Sequence, residues 1–154
     1  MNDLIKLNSL MWNRKAMDGT WCCAPYPNHP KGCPNFPKCI DKHRFDWTKI
    51  DISSLYAVVQ EFDLKLHAEH LKGLYPEWTN SQCRCVLYWQ PTVNKQLKVK
   101  ATKYAKELNY NFISTCPEAN GINVFGTMAK HGLILYKNPD LVRKIAIIGI
   151  INNE

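Results

Sequence analysis

The most regular alternation of apolar and polar positions lies between residues 91 and 108. Val93, Leu97, Ala101, Tyr104, Ala105 and Leu108 recur at helical spacing, while Lys95, Lys98, Lys103 and Lys106 fall mostly on other faces. Pro91 suits the first turn of such a helix. Upstream, residues 54–62 (SLYAVVQEF) are rich in β-branched and aromatic side chains and predict a buried strand. Asp63 is placed to cap a helix ending at Gly73, Tyr75–Pro76 breaks the chain, and Thr79 is placed to cap a short helix through Cys85. Downstream, residues 110–115 predict a second strand and Ile122 to His131 a helix with Gly132 as its stop. Leu133 to Tyr136 predicts a third strand, and the nearly all β-branched Arg143 to Ile151 a fourth. Weak helical spacing at Leu4, Leu7, Leu10 and Met11 predicts a helical segment over 1–19 closed by Gly19. Strands alternating with helices predict an α/β fold with a mixed, partly parallel sheet and helices packed on it.

The 154 residues fit a single small domain. It divides into an N-terminal segment (1–19), a Cys/Pro-rich loop (20–47) and an α/β core (48–154). Apolar residues make up 45% and charged residues 21%, which excludes a disordered or collagen-like chain. The longest apolar run, Ile145 to Ile151, is far short of the roughly 20 residues of a membrane span. Asp3 and the alternating N-terminus give no secretory signal, so a cytoplasmic protein without a membrane partner is expected. The net charge of +7 permits nucleic-acid or nucleotide binding without demanding it.

Residues 20–47 break the pattern. Four of the seven cysteines and five of the nine prolines lie between Trp21 and Ile40. Pro25, Pro27, Pro30, Pro34 and Pro37 remove backbone donors and fix φ, so neither a helix nor a central strand suits this segment. A stiff loop lowers the entropy cost of bringing thiolates together. Cys22 or Cys23, then Cys33 and Cys39, are the candidate ligands, with ten residues between Cys22 and Cys33 and five between Cys33 and Cys39. Thiolates select zinc or iron–sulfur clusters over hard cations. The spacing is neither that of zinc ribbons nor that of bacterial ferredoxins.

The core of this loop, Pro25–Tyr26–Pro27–x–His29–Pro30–Lys31–Gly32–Cys33–Pro34–Asn35, resembles a family of small bacterial, archaeal and phage proteins described as predicted metal-binding. Phe62–Asp63–Leu64–x–x–His67, Leu87–Tyr88–Trp89–Gln90 and Pro117–Glu118–Ala119–x–Gly121–Ile122–Asn123–Val124 look similar to it as well. The resemblance runs from about residue 20 onward. It implies a cysteine-ligated metal, an iron–sulfur cluster foremost, without implying a reaction. Cys23 departs from the pattern, and Cys39 is followed by Ile40–Asp41 where family members often continue with Cys-Pro-Pro.

A [4Fe–4S] cluster takes four ligands. Cys116, at the predicted end of a strand, ranks first as the fourth, ahead of Cys85, Cys83 and Cys23. His29 and Lys31 in the turn, and Glu118 and Asn123 in the polar segment after the second strand, are candidates to support the cluster or contact substrate. His67-x-x-His70 has the spacing of a zinc pair, but a helix-surface or hydrogen-bonded pair is the simpler reading. The expected function is iron–sulfur binding, in electron transfer to a redox partner or in chemistry on a small or nucleotide-derived substrate. The alternative is a zinc-stabilised basic module that binds nucleic acid. Whether the chain is an enzyme stays open.

Overall fold

The computed structural model describes residues 3–11, 47–117, 120, 122–136 and 140–152. Its centre is the long strand pair β2 (Ile50–Asp63) and β4 (Leu141–Ile151), antiparallel, with Val59 opposite Ile145 and Ala57 opposite Ile147. Short strands flank them. β1 (Leu4–Lys6) pairs with β2, and β3 (Phe112–Ser114) with β4, giving the order β1-β2-β4-β3. Between β2 and β3 come α1 (Leu64–Leu74), α2 (Asn80–Cys83) and α3 (Gln90–Glu107); α4 (Val124–Lys130) lies between β3 and β4.

The sheet is antiparallel throughout, which corrects the expected partly parallel arrangement. β2 and β3 do run in the same direction, because each is antiparallel to β4. They are the two strands of a crossover through α3, but β4 is inserted between them, so no parallel ladder forms. The expectation rested on strands alternating with helices, and that alternation carries no information about which strands become neighbours in the sheet.

One face of the sheet packs on α3. Val58, Ala146 and Ile148 meet Leu97, Ala101 and Ala105, and the stripe continues through Val142, Val93, Leu64 and Trp89. Alanines at 101, 105 and 146 let helix and sheet approach closely. The other face carries Leu55, Ala57, Val59, Ile145 and Ile147, covered by Leu7, Ile122, Val124 and Met128. The sheet therefore sits between α3 and a second layer built around α4.

The helix limits follow from local chemistry. The Asp63 carboxylate accepts from the Leu66 N–H at 2.9 Å and starts α1. Thr79 and Gln82 form a reciprocal capping box at α2. At the end of α3, Asn109 takes the left-handed conformation (φ 58°) and the Tyr110 N–H returns to the Ala105 carbonyl at 2.8 Å. Gly132, at φ 89°, follows α4.

Three local expectations are corrected. Gly73 does not stop α1, which runs to Leu74 and ends when the Tyr75 N–H bonds the Leu71 carbonyl. Within the expected helix over 1–19, Leu4–Lys6 is a strand, because pairing with β2 outweighs a weak helical pattern; residues 12–19 lie outside the described residues. Leu133 to Tyr136 alternates as expected, Leu133 and Leu135 packing inward and Ile134 and Tyr136 exposed, but it joins no ladder among the described residues. Among the described residues no helix is long and apolar enough to cross a membrane.

Candidate functional site

β3 covers only part of the β4 edge. Its three residues pair with Gly149, Ile148 and Ile147, and the chain then turns away at Thr115 and Cys116. Residues 141–145 of β4 line a groove of about 630 Å³ that opens beside the end of β3. Leu64, Val86 and Trp89 form its wall on the α3 side, and Phe125, Ile134 and Tyr136 form the opposite wall. Cys116 and Pro117 close the end next to β3.

The orientation of the β4 backbone follows from its last residues. The Ile151 N–H donates to the Asn111 side-chain oxygen at 2.7 Å, and the Ile151 carbonyl accepts from the Asn111 amide at 3.2 Å, so residue 151 faces the β3 side. The Ile150 N–H goes to the Ser54 hydroxyl and the Asn152 N–H to the Lys49 carbonyl, both on the β2 side. Alternation along the strand then turns the N–H and C=O of Ile145, Arg143 and Leu141 toward the groove.

The groove is cationic. Arg84, Arg143 and Lys144 line it, and no carboxylate does among the described residues. Arg84 pairs with Asp140 at 3.1 Å. The Nε of Arg143 is buried without a hydrogen-bond partner. Glu61 stands opposite Arg143 in the register, yet the ion pairs among the described residues are Arg84–Asp140 and Lys100–Asp3.

The predicted site residues divide into two sets. Cys22, Cys23, Cys33, Cys39, His29, Lys31 and Glu118 lie outside the described residues. Of the rest, Cys116 is a free, exposed thiol on the groove, Cys85 is half-buried and Cys83 is enclosed at 1% exposure. Asn123 caps α4: its side-chain oxygen accepts from the Gly126 N–H at 3.0 Å, so this polar group is committed to the fold. Among the described residues no group of three or more His, Cys, Asp and Glu side chains is placed to hold a metal ion.

His67 and His70 form no such site among the described residues. His67 packs edge-on against Phe62, with ring centroids 5.3 Å apart, and its Nε2 is buried without a hydrogen-bond partner. Burial, and secondarily the neighbouring His70, hold its pKa below the ordinary histidine value.

Two features escaped the sequence reading. Neither the groove nor the role of Arg143 has a local signal, since both depend on how far β3 extends along β4. The second is an aromatic stack on the surface, Tyr75 on Trp78 at 4.3 Å and Trp78 beside Tyr88 at 5.2 Å, flanked by exposed Leu74 and Leu87. The lysines expected on the free face of α3 (Lys95, Lys98, Lys103 and Lys106) are exposed.

Comparison with known proteins finds no matching family model, no similar curated protein and no similar solved structure.

Proposed function

We propose that this chain binds an iron–sulfur cluster through thiolates of its Cys/Pro-rich segment: Cys22 or Cys23, Cys33 and Cys39. The observation that carries the reading is the density of cysteines, four within residues 22–39, interspersed with five prolines. Cys116 is the fourth ligand. Its exposure supports that choice over half-buried Cys85, the next in rank, and over enclosed Cys83. Such a cluster supplies electron transfer when all four thiolates bind, or a Lewis-acidic iron when one position stays open. The groove beside Cys116 is large enough for a small or nucleotide-derived substrate, and its cationic lining favours an anionic one.

Iron and sulfide content of purified variants tests the ligand set. Cys33→Ser should lose the cluster. Cys116→Ser should lose it or retain a form depleted in iron. Cys83→Ser should keep full iron and sulfide while melting at lower temperature, because a polar hydroxyl replaces an enclosed thiol. Unchanged metal in Cys33→Ser would remove the proposal, and cluster loss in a folded Cys83→Ser would reassign the fourth ligand.

A further inference from the structure

We propose that the notch beside β4, where β3 ends, is a strand-addition site for an extended acidic segment of a partner protein. The site shares its groove with Cys116 but draws on none of the cysteines. β4 continues past β3, and Leu141, Arg143 and Ile145 turn their backbone donors and acceptors into the groove, where no strand of the described residues pairs with them. An edge of this kind is a template for another chain, which natural proteins ordinarily shorten, cover or protect with charge. Here it lies at the bottom of a groove with an apolar wall on each side. From Leu141 to Ile145 it spans about 13 Å at roughly 3.3 Å per residue, room for a segment of about five residues.

A peptide laid antiparallel on β4, in line with β3, would direct alternate side chains to the two walls. Trp89 and Leu64 stand on one side, and Phe125, Ile134 and Tyr136 on the other. Main-chain bonds would fix its position, and the walls would select its side chains. Charge identifies the occupant. Arg84 is already paired with Asp140, whereas Arg143 is in no ion pair among the described residues and its buried Nε lacks a hydrogen-bond partner. A glutamate or aspartate of the incoming segment would give that guanidinium the anion it lacks. A second copy of this chain is a poorer occupant, because edge-to-edge pairing of two β4 strands brings Arg143 and Lys144 of each copy together.

The test is amide hydrogen exchange of the full chain with and without the peptide acetyl-Glu-Val-Glu-Val-Glu-Val-amide. A lysine-for-glutamate version and a version N-methylated at alternate residues serve as controls. In the free chain, Arg143 and Ile145 should exchange at least about tenfold faster than Val142 and Ala146, whose amides face β2. The acidic peptide should slow Arg143 and Ile145 by about tenfold or more, and neither control should do so. Three results would overturn the proposal. The first is slow exchange at both residues in the free chain at every concentration, which assigns the edge to a segment of the chain itself. The second is slowing that appears only as the protein is concentrated, which assigns it to a second copy. The third is no slowing with the acidic peptide, or equal slowing with either control.

Discussion

Asp63 and Thr79 each satisfy a backbone donor at a helix start, and both roles follow from residue type and position alone. Asp63→Ala removes the bond to the Leu66 N–H and should lower stability by about 1 kcal/mol in urea unfolding. Residue-scale chemistry is less legible when it depends on burial. His67 sits in a pattern that reads as a zinc pair or a surface pair, but its ring packs on Phe62 and its pKa is held below 6.5, first by burial and then by His70. As pH falls, the unfolded chain therefore takes up this proton before the folded one. The contribution of His67 is complete above about pH 6.5 and declines as pH drops below it. Denaturant midpoints measured between pH 7.5 and 5 should fall toward acid in the parent chain. His67→Gln should flatten that slope; an unchanged slope would assign it to other groups.

At the scale of elements, the two longest patterns, over β2 and α3, were readable because each carries a full period of its own structure. Val93, Leu97, Ala101 and Ala105 are the buried stripe of α3, as their spacing predicts. Boundaries depended on whether a stop signal acts locally. Gly132 does, since φ 89° disfavours any residue with a Cβ. Gly73 does not: it lies inside α1 at ordinary helical φ, and a Cβ there would meet nothing within 4 Å. The two glycines should respond in opposite directions. Gly73→Ala should raise stability by about 0.5–1 kcal/mol through helix propensity and a less flexible unfolded chain. Gly132→Ala should lower it by about 1–2 kcal/mol through the left-handed backbone. Thermal unfolding of both variants checks the pair, and stabilisation of Gly132→Ala would contradict the assigned end of α4. Leu133 to Tyr136 shows the opposite failure: its alternation is that of a strand, yet pairing is a property of two segments and cannot be read from one.

At the scale of the whole molecule, pairing decides what local pattern cannot. Inserting β4 between β2 and β3 makes the sheet antiparallel, and stopping β3 after three residues opens the groove at which Cys116 stands. The α/β class, the helix on one face and the exposed lysines of α3 were legible in the sequence. The direction of the sheet, the groove and the place of Arg143 were not, because each depends on contacts between residues far apart in the chain. The proposed metal ligands rest on sequence alone: Cys22 or Cys23, Cys33 and Cys39 lie outside the described residues, and of the set only Cys116 is described, as an exposed free thiol.

Cys22 or Cys23, Cys33, Cys39 and Cys116 are proposed to hold an iron–sulfur cluster. Anaerobic purification followed by an absorption spectrum, with iron, sulfide and zinc counted per chain, tests this most directly. A thiolate-bound cluster gives a brown protein with a broad band near roughly 400 nm and matching iron and sulfide. A colourless protein carrying about one zinc per chain would contradict the proposal. That result would point instead to a closed structural site and to salt-dependent nucleic-acid binding as the next measurement.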